Sequence, residues 1–419
     1  MTTDIFIYLI TLMAILGVII RPFKIQESIW AVSGAVLLLI FGSITYQDAW
    51  KGIIKGLDVY LFLIGMMTLS ESARKEGLFD WLASHAINLA AGSSSKLFVL
   101  IYLIGLAVTI FMSNDATAVV LTPAVAVAVA KAKIKNPLPY LLICAFIANA
   151  ASFLLPISNP ANLVIYGSNL PSLITWLKIY TLPSIISVCI TFLILFRTQR
   201  KFLNHEITDE QKYLKLGNGG KVALAGIIIT TFVLLLSSFL HWDLGIPTFL
   251  SGVVTSILIL IVCKKSPLEL IRHISWSVIP LVAGLFILVE AVQQTGIISN
   301  LSKQLADLDA TSPDKAAWNA GLITAFGSNL INNLPAGLIA GTTLSGIHLH
   351  EVVRSAVLIG IDLGPNLSIT GSLATILWIK ELRKNGYDIS AWQFLKLGIL
   401  IMIPTLMVTL AVVILQESL

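Results

Sequence analysis

Ten apolar runs of membrane-spanning length follow one another along this chain, at 5–20, 28–44, 57–72, 138–167, 173–196, 222–240, 247–263, 276–292, 351–379 and 391–415. About 20 apolar residues cross the hydrocarbon core of a bilayer as a helix. Backbone groups at that depth must be satisfied within the segment, so the reading is an all-α polytopic membrane protein. Composition agrees: 57% of the 419 residues are hydrophobic, 12% are charged, and the mean hydropathy is +0.90. A soluble domain carries about 25% charged residues. A soluble globular enzyme, a disordered protein and a nucleic-acid binder are excluded. The net charge of +5 is then a topology signal rather than a sign of a polyanionic partner. The first run follows Thr2, Thr3 and Asp4 without a cationic stretch, so no cleavable signal peptide is expected and the location reads as the cell inner membrane.

Two further apolar stretches are interrupted by polar residues, 97–130 by SNDAT at 113–117 and 316–346 by SNLINNLP at 328–335. Each is either one span or a re-entrant hairpin, and charge separates the two. With both as hairpins, ten full spans and both termini outside, 21 of the 27 Lys and Arg fall in inner loops. Only Lys51, Lys55, Lys178, Lys303, Lys315 and Arg354 stay outside. Making either stretch a single span inverts everything after it and spoils the bias that orients short loops.

The only long polar segment, Arg197 to Lys221, divides the chain into a first half (1–197, five spans plus hairpin 97–130), a cytoplasmic linker (198–221) and a second half (222–419, five spans plus hairpin 316–346). Its GNGGK lacks the P-loop spacing, so no nucleotide site or other cofactor is expected. The halves resemble each other. Gly65, Glu71 and Gly77 fall on Gly284, Glu290 and Gly296 at an offset of 219, and Asn114 to Thr117 falls on Asn332 to Pro335 at an offset of 218. Five spans is an odd number, so the halves are expected to run in opposite directions. Inverted repeats with broken helices are characteristic of secondary transporters, whose substrate and coupling ion bind near the midplane.

Four polar breaks are therefore the expected working parts. Hairpin one carries Ser113, Asn114, Asp115 and Thr117. The fourth span is interrupted at PISNPAN, with Ser158, Asn159 and Asn162. Hairpin two carries Ser328, Asn329, Asn332 and Asn333, and the ninth span is interrupted by Asp362, Gly364, Pro365, Asn366, Ser368, Thr370, Gly371 and Ser372. Proline removes a backbone donor and glycine lowers the cost of unwinding. Asp362 lies about 16 Å along a helix from Glu351, near the middle of the bilayer. Ionisable groups at such depth are costly and usually functional, which marks Asp115 and Asp362 as the expected proton or ion coupling residues. Glu71, one turn from Arg74 and Lys75, reads instead as half of an interfacial ion pair.

SNDATAVVLTP (113–123), ANAASFLLPISNPANLVIYG (148–167) and GSLATILW (371–378) resemble the ArsB-type arsenite/antimonite efflux permeases of the ion transporter superfamily. The resemblance runs over nearly the whole chain. It implies extrusion of As(OH)3 or Sb(OH)3 in exchange for protons, with family members acting alone or with a soluble ATPase subunit. The motif positions carried over are Asn114, Asp115, Thr117, Ser158, Asn159, Asn162, Asn332, Asn333, Asp362 and Thr370, with Asn329 and Asn366 added from the breaks themselves. The chemistry suits a neutral polyol: amides, hydroxyls and carbonyls offer both donors and acceptors, and a carboxylate that accepts a substrate O–H when ionised accepts it less well when protonated.

Other readings bear on the same residues. A Na+/H+ antiporter of the same superfamily would also use carboxylates and carbonyls, and the sequence leaves it open. A dicarboxylate or citrate carrier wants a buried cation, and the four breaks contain no Lys or Arg. An intramembrane enzyme needs a nucleophile–base pair, and no His falls at depth. Cys144, Cys189 and Cys263 lie on three different spans away from the breaks, and the six histidines lack metal spacing. Trp30, Trp50, Trp176, Trp242, Trp276 and Trp392 near run ends read as an aromatic belt.

Overall fold

The computed structural model describes residues 2–203 and 214–417, leaving the centre of the polar segment (204–213) outside the described residues. Every regular element among the described residues is a helix. The first half contains α1 (Thr2–Ile20), α2 (Glu27–Ile40), α3 (Tyr46–Lys55), α4 (Leu57–Lys75), α5 (Leu78–Ala90) and α6 (Ser94–Phe111). Then come α7 (Asn114–Ala116), a π turn (Thr117–Leu121) and α8 (Thr122–Lys131), followed by α9 (Leu138–Ala150), α10 (Pro160–Tyr166) and α11 (Leu173–Gln199). The second half contains α12 (Asn218–Phe239), α13 (Gly245–Cys263), α14 (Pro267–His273), α15 (Val278–Gln294) and α16 (Ile297–Thr311). It finishes with α17 (Pro313–Ile331), α18 (Asn333–Leu344), α19 (Glu351–Leu363), α20 (Leu373–Lys384) and α21 (Ala391–Glu417).

All ten apolar runs are helical. Among the described residues six helices are individually long and apolar enough to cross a membrane, or eight if α3 with α4 (bent 47°) and α14 with α15 (bent 43°) each count as one span. The runs 138–167 and 351–379 are each two helices separated by non-helical backbone, as the Pro, Gly and Asn content of the breaks leads one to expect. Ile228, Phe232, Ile261 and Leu415 are among many large apolar side chains left exposed on the outside. In water such a surface would be a liability; around a membrane protein it meets lipid. The chain is a multi-pass membrane protein.

Residue size decides how the helices cross. A Cβ on Gly65 of α4 would lie 2.3 Å from the Thr248 carbonyl oxygen, and one on Gly252 of α13 would lie 2.3 Å from the Gly65 oxygen. Backbones that touch this way require the absence of a side chain, the small-residue packing usual between membrane helices. The equivalent crossing of α2 with α15 puts a Gly284 Cβ 2.8 Å from the Ala31 backbone and a Gly34 Cβ 3.3 Å from the Leu288 side chain. Gly77 and Gly296 serve a different purpose. Both adopt left-handed backbone (φ 72° and 81°) where α4 turns into α5 and α15 into α16, a conformation that costs other residues about 1–2 kcal/mol.

Each polar stretch drawn as a hairpin is broken between two helices, at Met112–Ser113 between α6 and α7 and at Asn332 between α17 and α18. Ser113 and Asn332 cap the following helices by accepting the backbone N–H of Ala116 and Leu334, the usual way to satisfy a helix start. One expectation fails. Trp176 does not sit in an aromatic belt but is fully buried, its indole N–H donating to the Phe153 carbonyl at 3.1 Å. The cause is that α11 starts beside the unwound segment 151–159, whose carbonyls need donors. Trp50, Trp242 and Trp392 are exposed, in line with the belt reading.

Candidate functional site

The breaks within the runs 138–167 and 351–379 are bonded to each other. Asp362, fully buried at the end of α19, accepts from the Ser152 hydroxyl at 2.7 Å and from the Asn159 amide at 2.7 Å. Asn149 of α9 donates to the Asn366 side-chain oxygen at 3.0 Å, and Asn366 donates onward to the Phe146 carbonyl at 3.1 Å. The carboxylate thus engages both its oxygens with neutral donors, and no cation among the described residues bonds it.

The two interrupted stretches, 97–130 and 316–346, are each bonded to one break. Ser158 donates to the Ile110 carbonyl near the end of α6 at 3.0 Å. Asn329 of α17 donates to the Gly364 carbonyl at 2.9 Å and accepts from Ser368 at 2.7 Å. Asn332 donates to the Thr370 carbonyl, Thr370 to the Asn329 carbonyl, and the Asn333 N–H to the Gly371 carbonyl. Asn162 turns its amide on the carbonyls of Ser152, Leu155 and Pro156. Thr117 lies 2.8 Å from Thr109 within the stretch 97–130. Most of the expected binding residues therefore spend their donors on exposed backbone carbonyls, which unwound chain in an apolar interior must have.

A smaller set faces open space. Asn114, Asp115, Asn159 and Asn333 together line a small cavity with Leu63, Pro160, Val278 and Leu373. Asp115 also lines a larger cavity, about 80 Å3, together with Met66, Met67, Ser70, Glu71, His273 and Ser275. No described residue hydrogen bonds or ion pairs with the Asp115 carboxylate, in contrast to the tightly held Asp362. Glu71 forms the expected ion pair, taking both the Arg74 Nε (2.8 Å) and Nη2 (2.6 Å). Its repeat partner Glu290 pairs with Lys55 at 2.7 Å. No Lys or Arg among the described residues lines either cavity.

Sequence reading missed Asn149, Ser152 and Thr375, the last bonded to Ser372 at 2.8 Å. The signal was present: each is a polar residue in an otherwise apolar stretch next to a break. Among the described residues no group of three His, Cys, Asp or Glu is placed to hold a metal ion.

A helical membrane protein with a polar centre built where its apolar stretches are interrupted belongs to the class of membrane transport proteins. The chain belongs to the citrate transporter family CitMHS, whose model matches residues 12–359. It is similar to the arsenical pump membrane protein of Escherichia coli K12, 27% identical over 404 residues that cover 93% of each chain. The arsenical pump membrane protein of Yersinia enterocolitica is 28% identical over 401 residues, 92% of each. The resemblance carried by 113–123, 148–167 and 371–378 thus extends over almost the whole chain. The fold is like that of the Alcanivorax borkumensis YdaH transporter (TM-score 0.57, 13% identity, 89% of this chain and 88% of that one). It is also like that of Neisseria gonorrhoeae MtrF, described as illuminating a class of antimetabolite efflux pumps (TM-score 0.56, 14% identity, 91% and 84%).

Proposed function

We propose that this protein exports trivalent metalloid, As(OH)3 or Sb(OH)3, from the cytoplasm in exchange for protons. The observation that carries the reading is the larger cavity lined by Asp115. It and the small cavity that shares Asp115 are together lined by amides, hydroxyls, two carboxylates, one imidazole and apolar side chains, and by no Lys or Arg among the described residues. A neutral polyol finds donors and acceptors there. Citrate, the substrate in the family's description, would bring several negative charges into a site without a counter-cation, at a large desolvation cost. Arsenical pump relatives at 27–28% identity over more than nine-tenths of the chain support the same substrate.

In this reading the architecture is ten spans and two re-entrant hairpins in two inverted repeats, 1–197 and 222–419. The reciprocal glycine crossings support it: Gly34 and Gly252 are 218 residues apart, Gly65 and Gly284 are 219 apart, and each half lends one crossing helix to the other. The 21-to-6 distribution of Lys and Arg supports a topology with both termini outside and the Glu71–His273 mouth of the large cavity at the cytoplasmic face of an inner membrane. Substrate enters there, reaches Asn114, Asp115, Asn159 and Asn333, and displaces no existing bond of Asp115. Asp115 and Asp362 carry the exchanged protons.

The test is uptake into everted vesicles under an imposed proton gradient. As(III) or Sb(III) accumulation that collapses with an uncoupler is the expected result. Proton movement on adding Na+ without metalloid accumulation would assign the chain to cation/proton antiport instead.

A further inference from the structure

The large cavity reaches the centre from one end of the molecule; a separate file of polar groups reaches it from the other. Glu351, exposed at the first residue of α19, accepts from the Tyr166 hydroxyl at 2.9 Å. That hydroxyl lies 2.7 Å from the hydroxyl of Tyr180, and both tyrosines are buried. Trp176 packs on both rings, with centroids 5.3 and 4.5 Å away, and fixes their positions. Ser355 stands beside the Tyr180 hydroxyl, and the carboxylates of Glu351 and Asp362 are both within electrostatic reach of it. Glu351, Ser355 and Asp362 share one face of α19, because 4 and 11 residues at 3.6 per turn return within about 40° of the start.

Two details argue against simple packing. The hydroxyl of Ser184, one turn along α11 from Tyr180, is fully buried and has no hydrogen-bond partner among the described residues. Buried hydroxyls left unsatisfied are costly, and a polar pocket of this kind is where ordered water belongs. Moreover, the tyrosine pair ends on a carboxylate open to solvent rather than on a backbone group. The other charged or titratable groups at this end are Arg354, whose guanidinium lies 5.4 Å over the Tyr166 ring, and His350, whose ring Nδ1 is 3.1 Å from the Asp309 carboxylate.

We propose that Glu351, Tyr166 and Tyr180 form the relay by which protons reach Asp362 from the outer side, with water held at Ser184 and Ser355 completing it. The proposal rests on the proton-exchange reading above. A proton taken up by the Glu351 carboxylate passes to the Tyr166 oxygen as the Tyr166 proton passes to Tyr180. The Tyr180 proton then passes through water to Asp362. Each tyrosine gains one proton and gives one, so neither is left charged, and the hydroxyls reset by rotation.

The experiment uses the full chain in proteoliposomes, with As(III) as the probe and two readouts. One is proton movement driven by As(III); the other is As(III) counterflow at equal pH, which needs no net proton transfer. In Tyr166→Phe, Tyr180→Phe and Glu351→Gln, proton-coupled rates are expected to fall by at least about tenfold, as for loss of a proton-transfer group. Counterflow keeps the wild-type rate, and Glu351→Asp restores coupling with an altered pH profile on that side. Wild-type coupling in all three variants would overturn the relay. So would parallel loss of coupling and counterflow unrelieved by Glu351→Asp, since that marks a structural role. If the underlying reading is at fault, the wild-type protein itself moves no protons with As(III), and the relay falls with it.

Discussion

At the residue scale, the two central aspartates are held in opposite ways, and their substitution should separate stability from transport. Asp362 is the acceptor for Ser152 and Asn159 in a buried setting. Asp362→Ala leaves both donors unpaired, at about 1–3 kcal/mol each, so a clear drop in thermal stability is expected along with lost coupling. Asp115 faces a cavity without partners, so Asp115→Asn should change stability by less than about 0.5 kcal/mol while abolishing proton-driven accumulation. Thermal melts in detergent, read beside vesicle transport, check both. That these two residues matter was legible in the sequence, because an ionisable group within an apolar run has few innocuous explanations. Their different surroundings were not legible: the acidic residue nearest to Ser152 in sequence order, Asp115, is 37 residues away, and Ser152 meets Asp362 only across 210 residues of chain.

At the element scale, the glycines fix how helices meet and turn. Gly65→Val would drive a side chain into the Thr248 backbone, an overpacking defect that typically costs about 1–3 kcal/mol or more. Loss of folded protein in size-exclusion chromatography is expected. Gly77→Ala and Gly296→Ala retain the packing but strain the left-handed turn, and each should lower stability by about 1–2 kcal/mol. Helices and breaks were readable because apolar length and the chemistry of Pro, Gly and Asn are local. Trp176 was misread for the opposite reason. A tryptophan at the end of an apolar run has the same sequence signature whether it faces the membrane interface or donates to a buried carbonyl. Only the placement of α11 beside segment 151–159 distinguishes the two.

At the scale of the whole molecule, the centre is reached from two ends, through the cavity mouth at Glu71 and His273 and along the file that starts at Glu351. An impermeant thiol reagent should therefore label His273→Cys in everted vesicles and Glu351→Cys in right-side-out vesicles. A Cys189→Ser, Cys263→Ser background removes the exposed and the half-buried native thiols. Labelling of both positions from the same side would overturn the proposed topology.

The sequence alone determined that the chain is helical, that it spans a membrane many times, and where its helices open. Those properties follow from local hydropathy and backbone chemistry, which neighbouring residues impose on one another. The tertiary structure alone decided the division of labour among the polar residues. Asn162, Asn329 and Thr370 tie down exposed carbonyls, whereas Asn114, Asp115, Asn159 and Asn333 face the cavity. A donor serves whichever acceptor the fold brings within about 3 Å, and in this molecule those acceptors come from distant parts of the chain.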